Sequence, residues 1–122
     1  MAVREVVTGQ DQFINVNMSP MFLKYTSRTI ANVTKGRLNL RLDLETDAVY
    51  DKNSVDHPLD VQVVGNTIRA IVRAADTANI SVGETYLISA SFDFDDGGSV
   101  TWEPDAWKGE SRKIKFLQQG MV

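Results

Sequence analysis

The sequence predicts an all-β fold, a single antiparallel β-sandwich with at most one short helical turn. Three observations carry this: two segments of strict apolar/polar alternation, a Gly-Asn pair separating two β-rich runs, and a shortage of helical periodicity. In the first segment, Leu38, Leu40, Leu42 and Leu44 alternate with Arg37, Asn39, Arg41 and Asp43. Leucine favours helices, but on a helix these four would point to opposite sides, so the period of two decides for a strand. The second segment runs from Thr85 to Asp95. Tyr86, Ile88, Ala90, Phe92 and Phe94 share one face, and Leu87 is the only misfit on the polar face.

The remaining elements follow in order of strength. Leu59–Val64 and Thr67–Arg73 are separated by Gly65-Asn66, a tight-hairpin signal. Asp95-Asp96-Gly97-Gly98 turns the long strand into a second arm, Ser99–Glu103. Weaker strands are expected over Ala2–Val7, Phe13–Asn17, a broken Met21–Val33, and Lys113–Leu117. Ala74–Ile80 fits one helical turn capped by Asp76 or Thr77. Asp47–Pro58 is polar and rich in turn residues, and reads as the most exposed loop. With 122 residues the chain suits one domain, with 108–122 as a final strand or a C-terminal arm.

Composition narrows the function classes. The chain has no cysteine, which excludes thiolate chemistry and disulfides, and this favours a reducing compartment. The first eight residues carry Arg4 and Glu5 and read as no signal peptide, so the sequons at Asn32 and Asn79 carry no weight. No apolar run is long enough for a membrane helix, and no membrane partner is expected. Charge is uneven: residues 51–107 hold ten acidic against three basic side chains, whereas residues 108–122 hold one against four. An acidic body does not suit nucleic acid, which needs a dominant basic face.

Each residue that could carry chemistry has a plainer role. His57, beside Pro58, lacks the orienting group or nucleophile that acid–base work requires, and reads as a solvated turn residue. Asp93, Asp95 and Asp96, with Glu103 across the hairpin, could surround an ion. Counted from Asp93, however, the fifth position is Gly97, which breaks the calcium-loop pattern. Paired carboxylates also serve glycoside hydrolysis, but that needs a cleft wide enough for a sugar. No catalytic residue, metal site or cofactor is therefore expected.

Trp102 and Trp107 bracket an acidic tetrapeptide. One of them in the core and the other at the rim is the plain reading, and an interface anchor is its rival. The basic tail alternates Lys113, Ile114, Lys115 and Phe116. It closes the chain's own sheet or reaches a neighbouring subunit, and the arm reading expects a chain ending at Trp107 to stay folded without assembling. Interface candidates are thus Trp102, Trp107, Lys113, Ile114, Lys115 and Phe116.

The stretch Ala74–Tyr86 contains Ala-Asp-Thr-Ala followed by Gly83-Glu84-Thr85-Tyr86. It resembles immunoglobulin-like sandwiches, in which a Gly-x-x-Tyr leads into a long strand. Thr67–Gly98 as a whole is similar to small immunoglobulin-like proteins of tailed-bacteriophage virions. The resemblance implies an immunoglobulin-like topology with Tyr86 as a structural corner residue bonded to upstream backbone. It also implies a non-enzymatic head-decoration, tail or baseplate component that assembles in the host cytoplasm with other virion proteins, as a homo-oligomer. The first half lacks the usual opening of that family, Arg37–Leu44 with the polar loop after it has no counterpart there, and the antibody cysteine pair and central tryptophan are missing, which leaves a jelly roll as the alternative fold. A carbohydrate- or receptor-binding module that uses the two tryptophans is the alternative function.

Overall fold

In the computed structural model, which describes residues 3–43, 45–104 and 112–117, the chain runs β1 (Arg4–Val7), β2 (Gln12–Asn17), α1 (Ser19–Tyr25), β3 (Val33–Arg41), β4 (Tyr50–Asn53), β5 (Val61–Val64), β6 (Thr67–Val72), β7 (Thr85–Phe94), β8 (Ser99–Thr101) and β9 (Lys113–Leu117). Short 3₁₀ turns occupy Ile30–Asn32 and Asp76–Asn79. One sheet is ordered β1-β9-β7-β3-β4, with β8 also on β7; the other is β2-β6-β5. The fold is a two-layer, mostly antiparallel β-sandwich, and the one parallel pair among the described strands joins β1 to β9.

The two alternating segments become the central pair of the larger sheet. Leu38 lies opposite Ala90 and Leu40 opposite Ile88, and all four are buried. Tyr86, Phe92 and Phe94 fill the same layer. From the smaller sheet, Ile14, Val16, Val61, Ile68, Ala70 and Val72 close the core. The sheets approach tightly at Gly36, where an added Cβ would sit 2.8 Å from a Val63 methyl. In the β5–β6 hairpin only Gly65 has positive φ, +57°, as a II′ turn requires of its first central residue.

Four expectations are corrected. Leu42 lies past the end of β3 and is 42% exposed, because the chain turns away before a fifth inward position is reached; Leu44 lies outside the described residues. Met21–Val33 is not a broken strand but α1 and a 3₁₀ turn. Pro20 is tolerated in the first helical turn, and Met18, Met21 and Phe22 share one face at helical spacing. Phe22 packs its ring 5.7 Å from that of Phe92. The supposed loop over 47–58 contains β4, whose Tyr50 is buried with its hydroxyl donating to the Ile71 carbonyl at 2.8 Å. Neither Asp76 nor Thr77 caps the 3₁₀ turn over 76–79. Asp76 instead accepts from the Arg73 N–H, and Thr77 donates to the Ala74 carbonyl.

Candidate interaction surface

The residues singled out from the sequence divide between core and surface. Tyr86, second in β7, is 1% exposed and its hydroxyl accepts the Ser81 N–H at 2.8 Å. Trp102 is 2% exposed, so it is a core residue and not a surface anchor. Trp107 lies outside the described residues.

The tail takes its final-strand reading, and the interface role of Ile114 and Phe116 is corrected. β9 lies between β1 and β7, with Ile114 and Phe116 buried at 1% and 0%. Their side chains are spent on the chain's own core and cannot serve an interface. Lys113 and Lys115 alternate with them on the outer face of the larger sheet, where Lys115 is opposite Glu5 on one side and Thr85 on the other. The tail is a structural strand because alternation gave it one apolar face, which packs into the core, while β1 and β7 pair with its two edges.

His57 is exposed in a turn, its carbonyl accepting the Asp60 and Val61 N–H groups. The acidic hairpin disperses its carboxylates. Asp93 pairs with Arg37, Asp96 with Arg28, and Glu103 accepts from the Tyr25 hydroxyl. The Arg28 hydrogen bond holds the Asp96 carboxyl below the usual range. Among the described residues, no three acidic or histidine side chains come together as metal ligands do.

A denser ionic cluster, unforeseen in the sequence, ties β4 to the turns flanking β5 and β6. Lys52 Nζ reaches Asp60 at 2.5 Å and Asp76 at 3.2 Å, and Arg73 Nε reaches Asp60 at 2.7 Å. The Lys52 hydrogen bond pulls the Asp60 carboxyl below its usual range, burial opposes it, and Arg73 adds to the fall. Burial pulls the Lys52 amine down, yet its bonds to Asp60 and Asp76 prevail and hold it above the usual lysine value. Asp60 has a folded pKa below its unfolded one, so its contribution is full above the ordinary aspartate range and is lost as pH falls through the depressed value. Asp60→Asn is therefore expected to cost roughly 1–3 kcal/mol at neutral pH. It should also flatten the loss of stability that the wild type shows below about pH 4. Melting curves that decline in parallel on acidification would remove Asp60 from this role.

Beside that cluster lies the outer face of the three-stranded sheet. Phe13 of β2 is opposite Ile71 of β6, while Asn15, Arg69 and Gln62 form the next cross-strand row. The Arg69 guanidinium lies 4.3 Å from the centre of the Phe13 ring, a diagonal pair that holds the aromatic in place. Leu59, ahead of β5, completes a shallow hollow of about 250 Å³ that Asp60 and Gln62 also line. Phe13, Leu59 and Val64 are 54%, 80% and 55% exposed, so this face presents large apolar side chains among fixed polar ones.

The signal for this face was present in the sequence. Each strand of the smaller sheet carries one apolar residue on its polar phase: Phe13 against Ile14 and Val16, Ile71 against Ile68, Ala70 and Val72, Val64 against Val61 and Val63. Read one strand at a time, each is a tolerable exception. The registers place Phe13 directly across from Ile71, and Val64 on the same outer face. No protein-family model, curated protein or solved structure matches this chain.

Proposed function

We propose that the chain is a non-enzymatic assembly module, an immunoglobulin-like accessory protein of a tailed-phage particle, which docks on another particle protein through the outer face of its three-stranded sheet. The observation that carries the docking is the exposed pair Phe13 and Leu59 at the hollow beside Arg69, with exposed Val64 on the same outer face. Apolar side chains clustered on a rigid sheet and rimmed by hydrogen-bonding groups are the composition of an interface centre.

Strand order supports the immunoglobulin-like part. Lettered as in such sandwiches, β1-β9-β7-β3-β4 is A′-G-F-C-C′, and β2-β6-β5 is B-E-D. Tyr86 stands near the start of strand F with its hydroxyl on upstream backbone, the position of the tyrosine corner. Ile88, two residues on, occupies the place of the F-strand cysteine, so apolar packing stands in for the disulfide. A protein partner is preferred to a glycan because Trp102, one of the two tryptophans that a sugar would need, is in the core.

Leu59→Lys tests the reading without disturbing the fold, since Leu59 is 80% exposed. Particles purified with wild-type protein are expected to carry it in fixed stoichiometry. Particles made with the variant should carry about tenfold less, the equivalent of about 1.4 kcal/mol. Full occupancy by a correctly folded Leu59→Lys chain, or absence of the wild type from particles, would overturn the proposal.

A further inference from the structure

The edges of the two sheets are not alike. In the larger sheet the end strands β1 and β4 have four residues and carry charges, Arg4 and Glu5 on one and Asp51 and Lys52 on the other, and β8, which pairs only with β7, has just three residues. Short, charged edge strands discourage pairing with another chain. In the smaller sheet β5 is uncharged but short, and the N–H of Val61 is already given to the His57 carbonyl at 2.9 Å. β2 has none of these protections. It has six residues, Gln-Phe-Ile-Asn-Val-Asn, with no charge and no proline, and it pairs with β6 along its whole length without a register shift.

The direction of its backbone groups can be read from one bond. The N–H of Met18 donates to the Asn66 carbonyl at 2.8 Å, at the β6 end of the ladder. Because direction alternates residue by residue, Ile14 and Val16 also address β6, while Phe13, Asn15 and Asn17 turn their N–H and C=O groups the other way. No described strand pairs with that side. A row of amides and carbonyls of this kind is matched by another extended strand.

We propose that this strand is β2 of a second copy, antiparallel and related by a twofold axis at Asn15, so that two three-stranded sheets become one of six strands. The inference rests on the assembly reading above and specifies how two copies meet. An uncharged strand can face itself with no like charges opposed, and closed twofold pairing uses the same patch on both copies. With the axis at Asn15, the two Asn15 residues lie opposite one another and each Phe13 lies opposite Asn17 of the other copy. All three outward-directed residues then pair with outward-directed ones, giving about six inter-chain backbone hydrogen bonds, two per bonded pair. The pairing also brings the two Phe13-centred faces onto one continuous surface, so a docked partner meets two sites at once and binds with avidity.

The absence of cysteine makes the test direct, because Asn15→Cys carries a single thiol per chain. Directly opposed residues of a hydrogen-bonded antiparallel pair have Cα atoms about 5.5 Å apart, within disulfide range. Mild oxidation of Asn15→Cys is expected to give a covalent dimer in high yield. Gln62→Cys, exposed on the same face but two strands away, should not. By sedimentation the wild type should be a dimer, and Asn15→Lys, which sets two ammonium groups together at the axis, should weaken it at least tenfold while matching the wild type's melting temperature in protein dilute enough for both to be monomeric. A monomeric wild type with no Asn15→Cys cross-link, a dimer that Asn15→Lys leaves intact, or an Asn15→Cys chain that cross-links only to a different protein would each overturn the pairing. Leu59→Lys separates the two readings, because it should weaken docking about tenfold while leaving this dimer whole.

Discussion

A chain ended at Trp107 is expected to lose cooperative folding altogether. The cut removes β9, which carries Ile114 and Phe116 into the core and lies between β1 and β7. β1 has β9 as its only strand partner among the described residues, so it is stranded too, and the Tyr86 end of β7 loses its neighbour. Phe116 meets Tyr86 edge to face at 6.1 Å, and its carbonyl accepts the Gly83 N–H at the corner that Tyr86 organises. Truncating a buried phenylalanine to alanine costs about 3–5 kcal/mol and a buried isoleucine about 2–5. Together these rival the whole stability of a domain, about 5–15 kcal/mol. Phe116→Ala alone should therefore survive with a much lowered melting temperature, and the truncated chain should show no cooperative transition. A truncated chain that melts sharply with native near-ultraviolet circular dichroism would restore the tail as an arm.

Trp102→Ala is the second large effect, at about 3–5 kcal/mol in denaturant unfolding. Trp102 follows β8, and its N–H continues the ladder to the Ala90 carbonyl at 2.8 Å. The ladder sets its side chain on the same inward phase as Val100, where it is 2% exposed. Next to it, the Glu103 N–H meets the Met21 sulfur at 3.3 Å, which ties the end of this strand to the helix. The loss should appear as a shifted midpoint at constant denaturant slope, the mark of a destabilised but unaltered fold. A loss below about 1 kcal/mol is what a surface position gives, and it would return Trp102 to the role of an interface anchor.

How far the sequence reaches is visible in particular strands. Alternation marked β3, β7 and β9, because each has one face wholly inside and a period of two has no competing reading there. The Gly65-Asn66 and Asp95–Gly98 turns were equally legible, since positive φ at Gly65 and Gly97 is a local demand that glycine meets. α1 was not. Met-Phe-Leu-Lys-Tyr mixes β-favouring aromatics with helix formers, and what chose the helix was a place for Met21 and Phe22 against Phe92 and β8. Tyr50 was hidden for a related reason: a single buried residue in a polar stretch shows no period at all.

By itself, then, the sequence determined the two-layer β architecture, the inward faces of its long strands and the turns between them, because each rests on spacing along one segment. Which faces remain outside, and what they offer, is decided only by packing. Tail charge and alternation are compatible with an arm or a strand until β1 and β7 are seen on either side of β9. The same holds for the candidate surface. Phe13, Leu59, Val64 and Ile71 are scattered over nearly sixty positions, and only the β2-β6-β5 pairing sets them on one face. Cross-strand register is a property of two segments at once, and neither segment's periodicity contains it.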